Sequence, residues 1–160
     1  MTQRSAPATA LEPAFVAALK ELFEQRIVFN KTLGLEITEI RPDGVAAHLA
    51  MRPELIGHFA HHRLHGGVTS AALDAMGGLA VMAAIGARHL DEPVAARMMR
   101  FGRLGTIDLR VDYLRQAIGA RFVVQAQVLR LGSRVASTRM EFLGADGELL
   151  ATGAAAYIVS

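Results

Sequence analysis

The sequence predicts an α+β domain: an antiparallel sheet of about six strands with one long helix laid against a face. Three observations carry that expectation. The stretch from Gly66 to about Leu90 is an apolar run of helical rather than strand length. After it, four segments alternate apolar and polar residues with period two and are separated by turn signals. Before it stand one helical segment and a pair of short strand candidates, with no internal repeat.

Taken in order, residues 1–10 are polar and are expected to form a flexible tail. They lack the apolar centre of a signal peptide, which points to the cytoplasm. Pro13 suits the first turn of a helix, and Phe15, Leu19, Leu22, Phe23 and Ile27 recur at helical spacing, so one helix is expected over Glu12 to Phe29. Leu35 to Ile40 and Val45 to Met51 read as strands around the turn Pro42-Asp43-Gly44. Arg52 to Leu64 reads as a loop, and Asp91 to Gly105 as an irregular connection after the long helix. Ile107 to Tyr113, Phe122 to Val128, Val135 to Leu143 and Leu149 to Val159 complete an antiparallel meander. At 160 residues the chain is expected to form one domain.

Composition excludes several classes. Cysteine is absent, so there is neither a disulfide framework nor thiolate chemistry. The net charge of +2 is near balance and no Lys/Arg block or basic stripe appears, which argues against nucleic acid. The Gly66 run is long enough to span a bilayer. It is built from Ala and Gly and carries Asp74, so a helix enclosed by protein is expected instead, with no membrane partner.

Asp74 is the only ionisable side chain between Gly66 and Ala87. A lone carboxylate in an apolar helix is costly if ionised and unpaired, so it usually has a task. Gly66 and Gly67 at the start of the same helix leave its first amides accessible, and helix N-termini attract negative charge. An acid and an anion-stabilising helix end are two parts of an acyl-transfer site. They lie eight residues apart, about 12 Å along the axis, so one helix cannot bring both to the same carbonyl. Two antiparallel helices at a two-fold interface can.

The tract His65-Gly66-Gly67 followed by Leu73-Asp74, with the meander after it, resembles the hotdog-fold thioesterases, specifically the PaaI-like acyl-CoA thioesterase group. In that family His-Gly-Gly opens the central helix and an Asp or Glu follows nine residues after the His, the spacing of His65 and Asp74 here. The resemblance covers most of the chain, from the strand pair near Leu35 to Val159. It implies a hotdog fold in which a sheet wraps a long central helix. It also implies hydrolysis of acyl-CoA thioesters by a homodimer or homotetramer without a cofactor. The Gly66 amide would polarise the carbonyl. Asp74, from the other subunit, would act as base or nucleophile; the sequence leaves both open.

The surrounding residues receive roles on the same footing. His65 is expected to lock the loop, with Gly67 and Ser70 near the substrate. Many members carry an Asn or Gln before the His; Leu55 to Leu64 holds neither, and His58 is the candidate substitute. Among the methionines, Met98 and Met99 are candidates for an acyl pocket, whereas Met76 and Met82 read as core. Arg115, Ser133 and Arg134 sit at a strand end and a turn, where the resemblance suggests contacts to coenzyme A phosphates.

Other readings fit the sequence less well. The cluster His58, His61, His62 and His65 invites a metal, but it lacks cysteine and has only Glu54 nearby, so no metal is expected. Ser70 lacks the Gly-x-Ser-x-Gly elbow of a nucleophile. A hotdog dehydratase or hydratase would need another acid/base arrangement. A non-catalytic acyl-CoA sensor would lose the carboxylate. With 6% aromatics, the composition leans toward aliphatic acyl groups.

Overall fold

The computed structural model describes residues 10–160, so all of the expected tail but Ala10 lies outside the described residues. Helix α1, Pro13–Glu21, opens with proline and buries Phe15 and Leu19. The single helix expected to Phe29 is interrupted. Leu22–Arg26 form a wider π turn in which the Ile27 amide donates to the Leu22 carbonyl at 3.0 Å, and Ile27 itself is extended. Tertiary ties hold this turn: the Ile37 amide donates to Glu24 at 2.6 Å, and Lys20 donates to the Ile37 carbonyl at 2.5 Å. With these ties, both Leu22 and Phe23 are buried, which a regular helical stripe would not require. Helix α2, Val28–Leu33, then ends at Gly34, whose φ of +75° is the left-handed conformation glycine adopts without strain.

Strands β1, Leu35–Arg41, and β2, Gly44–Ala50, form the expected hairpin. The segment read as a loop contains a small second hairpin, β3 (Ile56–His58) with β4 (Arg63–Leu64), joined through a 3-10 turn at Phe59–His61. It is too short to show a period-two pattern. The central helix α3, Gly66–Arg88, has 23 residues. The connection after it folds into a short helix α4, Val94–Met99, and a 3-10 turn, Arg100–Arg103. The meander follows as β5 (Gly105–Tyr113), β6 (Arg121–Leu131), β7 (Val135–Gly144) and β8 (Leu149–Ile158).

The main sheet has six strands in the order β1-β2-β6-β7-β8-β5, and every pairing is antiparallel. It wraps α3. The inner residues Phe122, Val124, Met140, Phe142 and Tyr157 pack with Leu73, Met76, Leu79 and Met82 in one core. Met76 and Met82 are thus core residues, 1% and 0% exposed. Glycines set how closely the layers approach. A β-carbon at Gly77 would stand 2.2 Å from the Tyr157 hydroxyl, and one at Gly86 would stand 2.1 Å from the Phe15 ring. By length and composition α3 could cross a bilayer, yet 67% of its most apolar window is buried inside the protein. On the helix side, Arg97 is 1% exposed, lies 4.5 Å over the Phe15 ring and pairs with Glu12, which ties α4 to the start of α1.

Candidate active site

The start of α3 is built by the small hairpin. The His65 amide donates to the Leu55 carbonyl at 2.9 Å, and the Leu64 amide donates to Ala117 O at 2.9 Å. Gly57 in β3 lies so close that a β-carbon there would stand 2.6 Å from the His65 α-carbon. His65 is therefore seated by backbone on two sides. Its Nδ1 accepts the Gly67 amide at 2.9 Å, which makes the imidazole the N-cap of α3. In the neutral ring that bond leaves the proton on Nε2. The expected locking role of His65 has this geometry.

The same bond sorts the two glycines. The Gly67 N–H is occupied by its own cap, and a β-carbon at Gly67 would stand 2.9 Å from His65 Nδ1. Gly66, as the first helical residue, has an amide with no intrahelical acceptor. Its carbonyl accepts the Tyr113 hydroxyl at 2.7 Å. Beside it opens a cleft of about 570 Å³, lined by Gly66, Gly67, Thr69, Arg63, Tyr113 to Ala117, Phe142, Leu150 and Ala151. An exposed amide at the positive end of a 23-residue helix faces anions there.

Asp74 lies elsewhere on the helix, half-buried. Its Oδ1 accepts the Thr106 hydroxyl at 2.9 Å and the Tyr157 hydroxyl at 3.1 Å, and Tyr157 also donates to the Asp74 carbonyl at 2.9 Å. Oδ2 has no partner among the described residues. Burial first, and then the Asp74 charge, push the Tyr157 phenol far above its ordinary pKa, so it stays protonated and donates. Gly77, one turn beyond Asp74, supplies the space for that hydroxyl. Both ends of the site lie along β5: Thr106 near its start touches Asp74, and Tyr113 at its end touches Gly66.

The other expected residues are distributed as follows. Arg115 lines the cleft, but its Nε pairs with Glu148 at 2.9 Å and its guanidinium donates to the Leu149 carbonyl at 3.0 Å. Arg63, which the sequence did not single out, lines the cleft beside it. Ser70 donates to the Gly67 carbonyl at 3.0 Å, and Thr69 is the hydroxyl residue on the cleft wall. Ser133 and Arg134 are exposed in the β6–β7 turn, next to Leu131 and Gly132, whose carbonyls accept from Arg88 at the far end of α3. Within one protomer they do not meet Gly66. The His58 ring stacks on Phe59 and His61, with centroids 5.9 and 4.8 Å apart, and lies off the cleft wall. Among the described residues no group of three or more His, Asp or Glu side chains is arranged to hold a metal ion. Met99 lies on a separate groove between the π turn and the Arg100–Arg103 turn.

A six-stranded antiparallel sheet wrapped on a central helix, with an open amide at the helix start and a positioned carboxylate on its flank, defines a hotdog-fold enzyme of acyl transfer. The profile of the thioesterase superfamily matches residues 61–151, and the chain belongs to that superfamily. The medium/long-chain acyl-CoA thioesterase YigI of Salmonella typhimurium is 39% identical over 141 residues, 87% of this chain and 90% of that protein. Its namesake from Escherichia coli K12 is 35% identical over 139 residues, again 87% and 90%. A crystal structure from Shewanella oneidensis, related to the thioesterase superfamily, superposes with a TM-score of 0.85 at 39% identity, covering 93% of this chain and 99% of that one. One from Syntrophus aciditrophicus gives 0.82 at 37% identity, covering 92% and 97%. The protein is a thioester hydrolase.

Proposed function

We propose that the protein hydrolyses acyl-CoA thioesters at sites completed by two protomers, the Gly66 amide from one and Asp74 from the other. The YigI proteins named as medium/long-chain acyl-CoA thioesterases support coenzyme A as the carrier. One observation carries the shared site. Gly66 and Asp74 are each positioned for chemistry, yet they stand about 12 Å apart along one helix. Both lie along β5, which among the described residues pairs only with β8 and has its other edge free. A free strand edge of nine residues is a template for a second chain. Pairing about a two-fold axis would run the partner's α3 antiparallel and exchange the two ends.

The chemistry needs no further catalyst. The thioester carbonyl is already electrophilic and its thiolate leaves readily. The Gly66 N–H and the helix end stabilise the oxyanion that develops on attack. Thr106 and Tyr157 hold Oδ1, so Oδ2 is the oxygen that takes a proton from water or attacks the carbonyl itself. Cleavage gives the free carboxylate and coenzyme A. A carboxylate kept and fixed by two donors supports hydrolysis over a binding module.

The test is complementation. Asp74→Asn is expected to abolish thiol release while acyl-CoA binding persists, and Gly66→Pro, which lacks the amide proton, to be similarly impaired. Mixed and allowed to exchange, the two variants recover roughly a quarter of wild-type activity, because half the dimers hold one intact site of two. No recovery in a mixture shown to contain heterodimers means that each site belongs to one chain. Near wild-type turnover by Asp74→Asn removes the reading altogether.

A further inference from the structure

A second cavity, of about 410 Å³, lies between the π turn and the Arg100–Arg103 turn, lined by Leu22, Ile27, Met98, Met99, Phe101 and Gly102 with Arg26. Its wall is apolar apart from Arg26, and Met99 is 80% exposed on it. An exposed apolar wall of this kind in a soluble fold marks a binding surface. The groove is a product of the broken N-terminal helix. The π turn places Leu22 and Phe23 side by side, with Leu22 on the groove and Phe23 turned inward against Phe101.

A track of side chains joins this groove to the carboxylate. Gly78 lies one turn beyond Asp74 on the same helix face. A β-carbon at Gly78 would face Leu104 at 3.6 Å, Phe23 at 3.8 Å and Tyr157 at 3.9 Å. Tyr157 is the residue that donates to Asp74. The Phe23 ring meets the Phe101 ring edge-on at 5.7 Å, and Phe101 is groove wall. Beyond the Tyr157 hydroxyl, the side chains packed between Asp74 and the groove are apolar, the helix position they face carries no side chain, and the far end lies among two methionines. Thioether chains adapt to flexible apolar ligands.

We propose that this groove seats the distal methylenes of an aliphatic acyl chain whose carbonyl lies at Asp74, an assignment that rests on the thioesterase reading above. The thiol side of the substrate then occupies the cleft at the helix start of one protomer, and the tail occupies the groove of the protomer that supplies Asp74. Leu22, Met98, Met99 and Phe101 set chain-length preference.

Gly102 allows the test, because it lines the groove and a β-carbon there meets nothing within 4 Å. Gly102→Phe fills the groove, with Gly102→Ala as the control. Thiol release is followed from butanoyl- to palmitoyl-CoA. Each methylene denied burial lowers kcat/KM roughly fourfold, so loss of two or three cuts palmitoyl-CoA by roughly fifteen- to sixtyfold against butanoyl-CoA. Met99→Ala, a truncation of an exposed side chain, lowers the same ratio roughly two- to fourfold. A chain-length profile unchanged in both variants overturns the proposal, as does an equal loss at every length. An unchanged profile is the result expected of a groove covered by residues 1–9 or by a second copy. Wild-type protein inactive on every acyl-CoA overturns the thioesterase reading itself.

Discussion

Replacing Gly66 by proline removes the amide hydrogen proposed to meet the oxyanion. Gly66 is the first residue of α3, where proline's fixed φ suits the helix and its missing N–H breaks no intrahelical bond. His65 before it has φ −65° and ψ 133°, the extended conformation that a following proline demands. The His65–Gly67 cap does not involve the Gly66 amide, so the helix start survives. An added β-carbon comes within 3.4 Å of the Tyr113 ring, and Gly66→Ala carries the same atom while keeping the amide. The two variants then differ in the amide hydrogen and in the ring carbons that replace it, so both the loss of the oxyanion donor and the filling of its place fall on the proline variant alone. Losing one such donor lowers kcat by about 10²–10³, or ~2.7–4 kcal/mol. The assay is steady-state thiol release with kcat and KM resolved, alongside circular dichroism and Tm to establish the fold. If Gly66→Pro and Gly66→Ala give the same kcat, the amide does not meet the oxyanion and the site must be rebuilt around another donor.

Tyr157→Phe keeps the ring in the core and removes one of the two donors on Asp74 Oδ1; kcat is expected to fall about tenfold with KM little changed, and stability by about 1 kcal/mol. An unchanged kcat with lowered Tm would reduce Tyr157 to a packing residue. Glu92 accepts a hydrogen bond from Arg100, and that bond, assisted by the charges of Arg100 and His89, holds its carboxyl below the ordinary carboxylate value. Because the folded pKa is depressed, the contribution of Glu92 to stability is complete above its unfolded pKa and is lost as pH falls through the folded one. Arg100→Met should raise the Glu92 midpoint in a carboxyl-resolved NMR titration; an unmoved midpoint would deny the pairing.

Much of this was legible because two physical signals were strong. Period-two alternation from Ile107 onward gave the meander, and the solitary charge of Asp74 in an Ala/Gly helix marked the site. What escaped depended on partners distant in sequence. Tyr157 lies 83 residues from Asp74, and nothing local separates it from any other core aromatic. A hint was present, since a long polar side chain directly after the small-residue run Ala151 to Ala156 needs a gap to enter, and Gly77 is that gap. Tyr113 fell within the expected strand pattern and Thr106 just before it, although Tyr113 touches the Gly66 carbonyl and Thr106 the Asp74 carboxylate. The break at Ile27 was hidden for a similar reason. Its helical spacing continued through a turn that Glu24 and Lys20 reshape by reaching for Ile37. Gly57 has the same character, since only the approach of the His65 backbone requires a residue without a side chain there.

The contact between Gly77 and Tyr157 also fixes the order in which this pair can change. While the phenol is present, any side chain at 77 collides with its oxygen, so the tyrosine must go first. Once a methyl group occupies position 77, the hydroxyl has no room to return. A lineage that has made both changes can recover the tyrosine only after glycine returns to position 77, and until then Asp74 has to be held from some other quarter.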